Sequence, residues 1–168
     1  LGRFQEAIES FKKATTSGPE ASQAFSQLGF TYYNLVRYRQ ALESLDKALA
    51  LDSENLDALV YIGMIYLDQG DQQRARSYFE KILTLRPDHP EAQYYLGYIY
   101  FNERNFEKAL PLFQSVVQHV PDHLKAYYQL AQTYFRLHEP DRAQEALQTF
   151  KRLEALEEVA NGFPGVEK

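Results

Sequence analysis

The 168-residue chain is 45% hydrophobic and 24% charged, carries a formal net charge of −5 and contains no cysteine. That length and composition suit a folded domain with a continuous apolar core. The acidic balance, with no basic run longer than a pair such as Lys12–Lys13, excludes the usual nucleic-acid binder, which needs cations against phosphates. Disulfides and thiolate metal sites are excluded, the compartment is left open, and no apolar run is long enough to span a membrane. Thirteen Tyr and eleven Phe, with no Trp, form a surplus that must either pack or bind.

Taken in chain order, hydrophobic periodicity predicts helices near residues 4–16, 21–34, 38–51, 56–69, 72–85, 90–103, 106–119, 124–137 and 140–159. Pro90 and Pro140 fit the first turn of a helix, where a missing N–H costs nothing. Pro111 lies one turn into its helix and is expected to bend its start. Asn161–Gly162 is a reasonable stop for the last helix, and 158–168 reads as a mobile tail.

The helices repeat. Phe25, Leu28, Gly29 and Tyr32 are matched by Leu59, Ile62, Gly63 and Tyr66, then by Gln93, Leu96, Gly97 and Tyr100, then by Tyr127, Leu130, Ala131 and Tyr134. Each step is 34 residues, without insertion or deletion. Ala7, Ala41, Ala75, Ala109 and Ala143 keep the same step, each followed four residues later by Phe11, Leu45, Phe79, Phe113 or Leu147. Pro19, Pro87 and Pro121 form a third set, with Ser53 and Ala155 in the equivalent slots. A mid-helix Gly costs roughly 1 kcal/mol against Ala, so Gly29, Gly63 and Gly97 imply a facing helix too close for a Cβ. The repeated Tyr side chains are expected to fill the gap between successive hairpins.

These slots resemble the tetratricopeptide repeat, whose 34-residue pattern sets a large apolar residue, Leu-Gly, Tyr, Ala, an aromatic and a closing Pro. The resemblance implies an all-α fold, an α–α superhelix of stacked antiparallel helix hairpins. Repeats are expected at 22–55, 56–89, 90–123 and 124–157, preceded by the second helix of a truncated repeat in 1–21. Leu1 and Gly2 would then end a first helix and its turn. An excerpt from a longer array is therefore expected, with the Phe4, Ile8 and Phe11 face lacking its cover or covered by a neighbouring molecule.

No catalytic machinery is legible. There is no Gly-rich phosphate loop, no His-Glu-x-x-His and no nucleophile elbow. Glu154, Glu157 and Glu158 read as a solvated helix face. His89 and His123 recur at the repeat step and read as joint residues, while Pro121 breaks the helical spacing that a metal pair at His119 and His123 would need. The chain is expected to be no enzyme and to hold no cofactor and no metal.

In proteins with this repeat, first helices line the inner groove of the superhelix, and that groove takes the partner. The resemblance places Ser26, Gln27, Phe30, Tyr33 and Asn34 there, then Val60, Tyr61, Met64, Leu67 and Asp68. The third first helix offers Tyr94, Tyr95, Tyr98, Phe101 and Asn102, and the fourth offers Tyr128, Gln129, Gln132, Phe135 and Arg136. One subfamily grips the C-terminal carboxylate of chaperone tails with Lys, Asn and Arg in these slots. Here Ser26 and Phe30 stand where Lys and Asn would be needed, Tyr61 replaces the second Asn, and Glu91 and Tyr95 replace the last basic pair.

The slots hold aromatic side chains instead, with Tyr94 and Tyr98 an i, i+4 pair on one face. Packing between hairpins competes with binding most strongly for Phe30, Tyr33 and Phe101. Four such rings left half open would expose roughly 300–500 Å² of apolar surface, the size of a binding patch. The expected partner is a protein or peptide with apolar side chains, as an amphipathic helix or extended segment, held by Phe30, Tyr33, Tyr61, Met64, Tyr94, Tyr95, Tyr98, Phe101, Tyr128, Gln132 and Phe135. The alternatives are a homo-oligomer stacked end to end through Phe4, Ile8 and Phe11, or a repeat region of a larger enzyme or assembly factor.

Overall fold

A computed structural model describes residues 20–160. The helix expected at 4–16, the self-association residues Phe4, Ile8 and Phe11, and the segment 161–168 lie outside the described residues. Within them are eight α-helices: α1 (Glu20–Asn34), α2 (Tyr38–Leu51), α3 (Leu56–Asp68), α4 (Gln72–Leu85), α5 (Pro90–Asn102), α6 (Phe106–His119), α7 (Leu124–Arg136) and α8 (Pro140–Ala160). The last helix runs to Ala160, close to the 140–159 expected and short of the stop at Asn161–Gly162, so Glu158–Ala160 belong to it and not to the tail drawn from 158. The chain divides into two compact units, Leu1–Pro87 and Asp88–Lys168.

In the first unit α1 pairs with α2 and α3 with α4, and α3 also packs on α1 and α2. Their core joins Leu28, Tyr32, Ala41, Leu45, Ala48, Ala58, Ile62 and Ile65. In the second unit α5 pairs with α6 and α7 with α8, and α7 packs on α6. Ala109, Phe113, Leu130, Ala131, Tyr134, Ala143 and Ala146 form that core.

The glycine slots have the cause inferred for them. A Cβ on Gly29 would lie 2.5 Å from Leu45, on Gly63 2.7 Å from Phe79, and on Gly97 2.9 Å from Phe113. The small residue admits the large one from the paired helix, and Phe79, Phe113 and Leu45 become fully buried. Ala131 fills the slot in the last hairpin, where the facing Leu147 is only half-buried.

Each hairpin turn reuses one backbone device. The residue two after the end of the first helix adopts the left-handed region: Val36 at φ 57°, Gly70 at 80°, Arg104 at 61° and His138 at 61°. The following N–H then donates back to the carbonyl of the repeated tyrosine, Arg37 to Tyr32, Asp71 to Tyr66, Asn105 to Tyr100 and Glu139 to Tyr134, over 2.8–3.0 Å. This is a helix-ending Schellman arrangement. The tyrosine rings sit under cations at the same step. The Arg74 guanidinium lies 4.3 Å from the Tyr66 centroid, Lys108 5.4 Å from Tyr100, and Arg142 5.7 Å from Tyr134.

First helices begin on side-chain caps. Asn55 accepts from the Ala58 N–H at 2.9 Å. His89 and His123 occupy the same slot and accept through Nδ1 from Ala92 (3.4 Å) and Ala126 (3.1 Å). The two histidines are thus helix caps, each supplying an acceptor that an orphan N–H requires.

Candidate partner-binding surface

In the first unit the first helices are α1 and α3. Phe30 of α1 and Tyr61 of α3 stack with centroids 4.8 Å apart and planes 24° from parallel. Both are half-buried, as is Met64. Tyr33 packs against the core and lies 6.1 Å from the Tyr38 ring. The Tyr38 hydroxyl donates to Asp68 at 3.1 Å.

Two slots assigned to the groove belong to the interior instead. Val60 is buried, and Ser26 is wholly enclosed in a polar lock. Ser26 donates to Asn55 Oδ1 (3.0 Å), Asn55 Nδ2 donates to Ser22 Oγ (2.8 Å), and Ser22 donates to the Ala48 carbonyl (3.0 Å). Three polar side chains without solvent are acceptable because each finds a partner.

In the second unit the first helices are α5 and α7. Tyr94 occupies the slot of Ser26 and Val60, and it too turns inward. Its ring lies 6.1 Å from buried Phe113, 5.2 Å from Tyr95 and 5.0 Å from the His123 imidazole. Burial, and then the neighbouring Tyr95 and Tyr98 hydroxyls, push its phenol up to about 12. Packing, expected first of Phe30, Tyr33 and Phe101, is therefore as strong at Tyr94. Phe101 meets Phe106 edge-on at 5.3 Å. The open rings are different ones: Tyr98 is 36% exposed, Tyr128 43% and Phe135 67%. Tyr128 leans on Phe150 of α8 at 5.5 Å. Gln132 is half-buried.

Sequence reasoning missed a hollow of ≈ 580 Å³ between α7 and α8, floored by Ala131, Phe135, Ala143 and Leu147 and edged by Gln144 and Lys151. The readable signal was positional: among the described residues no helix follows the hairpin at 124–160. Among the described residues no group of acidic, His or Cys side chains could hold a metal ion, and no helix is long and apolar enough to cross a membrane.

Hairpins that set a small residue against a large apolar one, a repeated tyrosine carbonyl closing each turn, and a constant step define a helical repeat protein. A family model for a tetratricopeptide repeat matches residues 27–90, and one for anaphase-promoting complex, cyclosome, subunit 3 matches residues 68–152. The chain belongs to the tetratricopeptide-repeat family, whose members are protein-interaction scaffolds and generally non-catalytic. No curated protein matches it significantly in sequence. Among solved structures it is similar to a crystal structure of MamA, at 24% identity and TM-score 0.74 over 93% of this chain and 91% of that one. A second MamA structure gives 23% and 0.71 over 99% and 90%. MamA from Desulfovibrio magneticus RS-1, residues 41 to the end, gives 24% and 0.73 over 94% and 89%. At these identities the likeness establishes the shared fold.

Proposed function

We propose that the chain is a non-catalytic adaptor that holds an apolar peptide or amphipathic helix against aromatic side chains of its first helices. The observation that carries this is the distribution of exposure. The three most exposed aromatic side chains among the described residues, Tyr98, Tyr128 and Phe135, all stand on α5 and α7. At about 200 Å² per ring they offer water roughly 300 Å² of apolar surface, enough to mark an interaction site on a small protein. Tyr and Phe suit this role because they bring large contact area with few rotatable bonds. Tyr95, Phe101 and Gln132 border them in the second unit. Phe30, Tyr33, Tyr61 and Met64 supply the half-open counterpart in the first. Absence of a basic set in the carboxylate-gripping slots favours apolar recognition over capture of a charged chain end.

The test is a double variant, Tyr98→Ala with Tyr128→Ala. Both rings are open, so helicity and melting temperature should stay close to the parent. Proteins captured from cell extract by the immobilised parent, identified by mass spectrometry, should be lost from the variant. Equal capture by a folded double variant removes these rings from the binding surface.

A further inference from the structure

We infer that a hollow among α6, α7 and α8 is a socket for the side chain of a tyrosine supplied by a partner protein. The site is separate from the aromatic surface above: none of its lining residues belongs to that surface, and it opens on a different stripe of α7. The hollow measures ≈ 360 Å³. Gln114 of α6 forms one wall, Tyr127, Leu130 and Tyr134 of α7 a second, and Arg142 and Ala146 of α8 a third. Described helices thus stand on three sides of it. A helix about 10 Å across is too wide to seat there, but a single side chain fits.

The first unit shows what such a place accepts. Two repeats before Ala146 stands Tyr78, whose ring stacks on the repeated tyrosine Tyr66, with centroids 5.8 Å apart and planes 24° from parallel. Tyr66 and its cation Arg74 correspond to Tyr134 and Arg142. The second unit therefore keeps the repeated tyrosine and its cation, and replaces the ring beside them with a methyl group. A small residue in this slot goes with a hollow: Ser44, its counterpart in the first hairpin, borders one of ≈ 280 Å³, whereas half-buried Leu112 stands there in the third. Among the described residues no helix precedes α1, so the socket is assigned at Ala146 alone.

The lining chooses tyrosine among side chains. Buried Leu130 and Ala146 give an apolar floor for the ring. In the first unit the Tyr78 phenol feels the charge of Asp46: burial raises it most, Tyr66 and Asp46 raise it further, and Arg74 opposes them. The slot of Asp46 holds Gln114 in the second unit. Gln114 Nε2 donates to the Tyr134 hydroxyl at 2.9 Å, so the acceptor its amide offers an incoming phenol is Oε1. Arg142 is held by Glu139 at 2.8 Å, and Glu145 stands at the rim, so there is no surplus cation to draw in a phosphate or a carboxylate. A tyrosine enclosed in a fitted pocket is a favoured anchor of protein interfaces.

The probe is p-cresol, the tyrosine side chain alone, titrated into the full chain by methyl NMR. The Leu130, Ala146 and Thr149 methyls should shift at millimolar p-cresol, and toluene should bind about three- to tenfold more weakly, the worth of one hydrogen bond. N-acetyltyrosinamide should shift the same methyls, since a partner's backbone has to stay outside the socket. Ala146→Tyr should fill the socket from within, abolishing p-cresol binding and raising the melting temperature by about 2–4 °C. Tyr78→Ala should do the reverse and open a p-cresol site beside Ile62. Tyr98→Ala with Tyr128→Ala, which weakens the aromatic surface, should leave the titration unchanged. The inference is overturned if p-cresol leaves those methyls unmoved, if toluene binds as tightly, if Ala146→Tyr melts below the parent, or if a folded Tyr78→Ala gains no site. Exclusion of N-acetyltyrosinamide overturns it too, since the ligand would then be a free phenol. So does a dimer of the chain that dissociates in Ala146→Tyr, because the ring would then belong to a second copy.

Discussion

In residues 20–87 the joint between hairpins is a buried polar lock, whereas in residues 88–160 the same repeat slots hold an aromatic ring against an imidazole. Ser26 and Asn55 of the first become Tyr94 and His123 of the second. Both solutions bury the joint and both cap the incoming helix through an acceptor, Asn55 Oδ1 or His123 Nδ1. They differ in what breaks them. The polar lock depends on every hydrogen bond being made, because an orphaned buried group costs far more than a satisfied one contributes. The aromatic joint depends on contact area and on the imidazole keeping a lone pair. The repeat step therefore constrains the geometry of a slot and leaves its chemistry free.

The largest effect should come from Asn55→Ala. It strands the Ser26 hydroxyl and the Ala58 N–H and removes the donor to Ser22, which keeps its bond to the Ala48 carbonyl, so a loss of about 3 kcal/mol is expected. Thermal melting should fall by roughly 6–12 °C, with faster amide exchange concentrated in α1 to α3. A melting temperature within 2 °C of the parent (about 0.5–1 kcal/mol) would mean that water replaces the lock.

Acid should separate the two joints next. Burial holds the His123 imidazole below its usual value, Lys125 acts in the same direction, and Glu91 and Asp122 oppose it. A depressed histidine is neutral in the fold. Its contribution is complete above about pH 6.5, where the unfolded chain is neutral too. As pH drops from there toward the folded value, the unfolded chain takes the proton first and stability falls. The expected loss is about 1 kcal/mol, the worth of a cap. His123→Asn should flatten this dependence in α7 amide exchange, while protection around Asn55 stays level throughout. An unchanged pH profile in the variant would remove His123 from the joint.

The smallest effect sharpens the comparison at the turns. Gly70 adopts the left-handed region freely, but Val36 holds it with a β-branched side chain. Val36 is 67% exposed, so its side chain gives little packing in return. Val36→Gly should stabilise the chain by about 0.5–1 kcal/mol in chemical denaturation, a gain that Gly70→Val should reverse in sign.

The helices were legible because the periodicity repeats: Gly29, Gly63 and Gly97 in phase with Ala41, Ala75 and Ala109 fix where each hairpin lies. The caps were less so. A lone histidine does not announce a cap, although its alignment with Asn55, a favoured cap residue, carried the signal. The turns followed from the helix bounds, but their left-handed residues were hidden at Val36 and Arg104, whose side chains do not favour that region, while Gly70 and, more weakly, His138 gave a hint. Tyr94 was misplaced for a related reason. Its size and polarity suit a surface, and the slot alone does not decide: Ser26 and Val60 are buried there, whereas Tyr128 is open. Exposure at Tyr98, Tyr128 and Phe135 depends on which neighbours stand over them, which periodicity does not report.

The left-handed turn position has a consequence for chemistry done on the protein. A residue of mirror-image handedness finds its own favoured backbone basin where an ordinary residue is strained. Chemical synthesis could therefore place D-amino acids at 36, 104 and 138 without bending the helices on either side. These three sites, spaced by the repeat itself, would make protease-resistant corners and regularly ordered points for attaching labels.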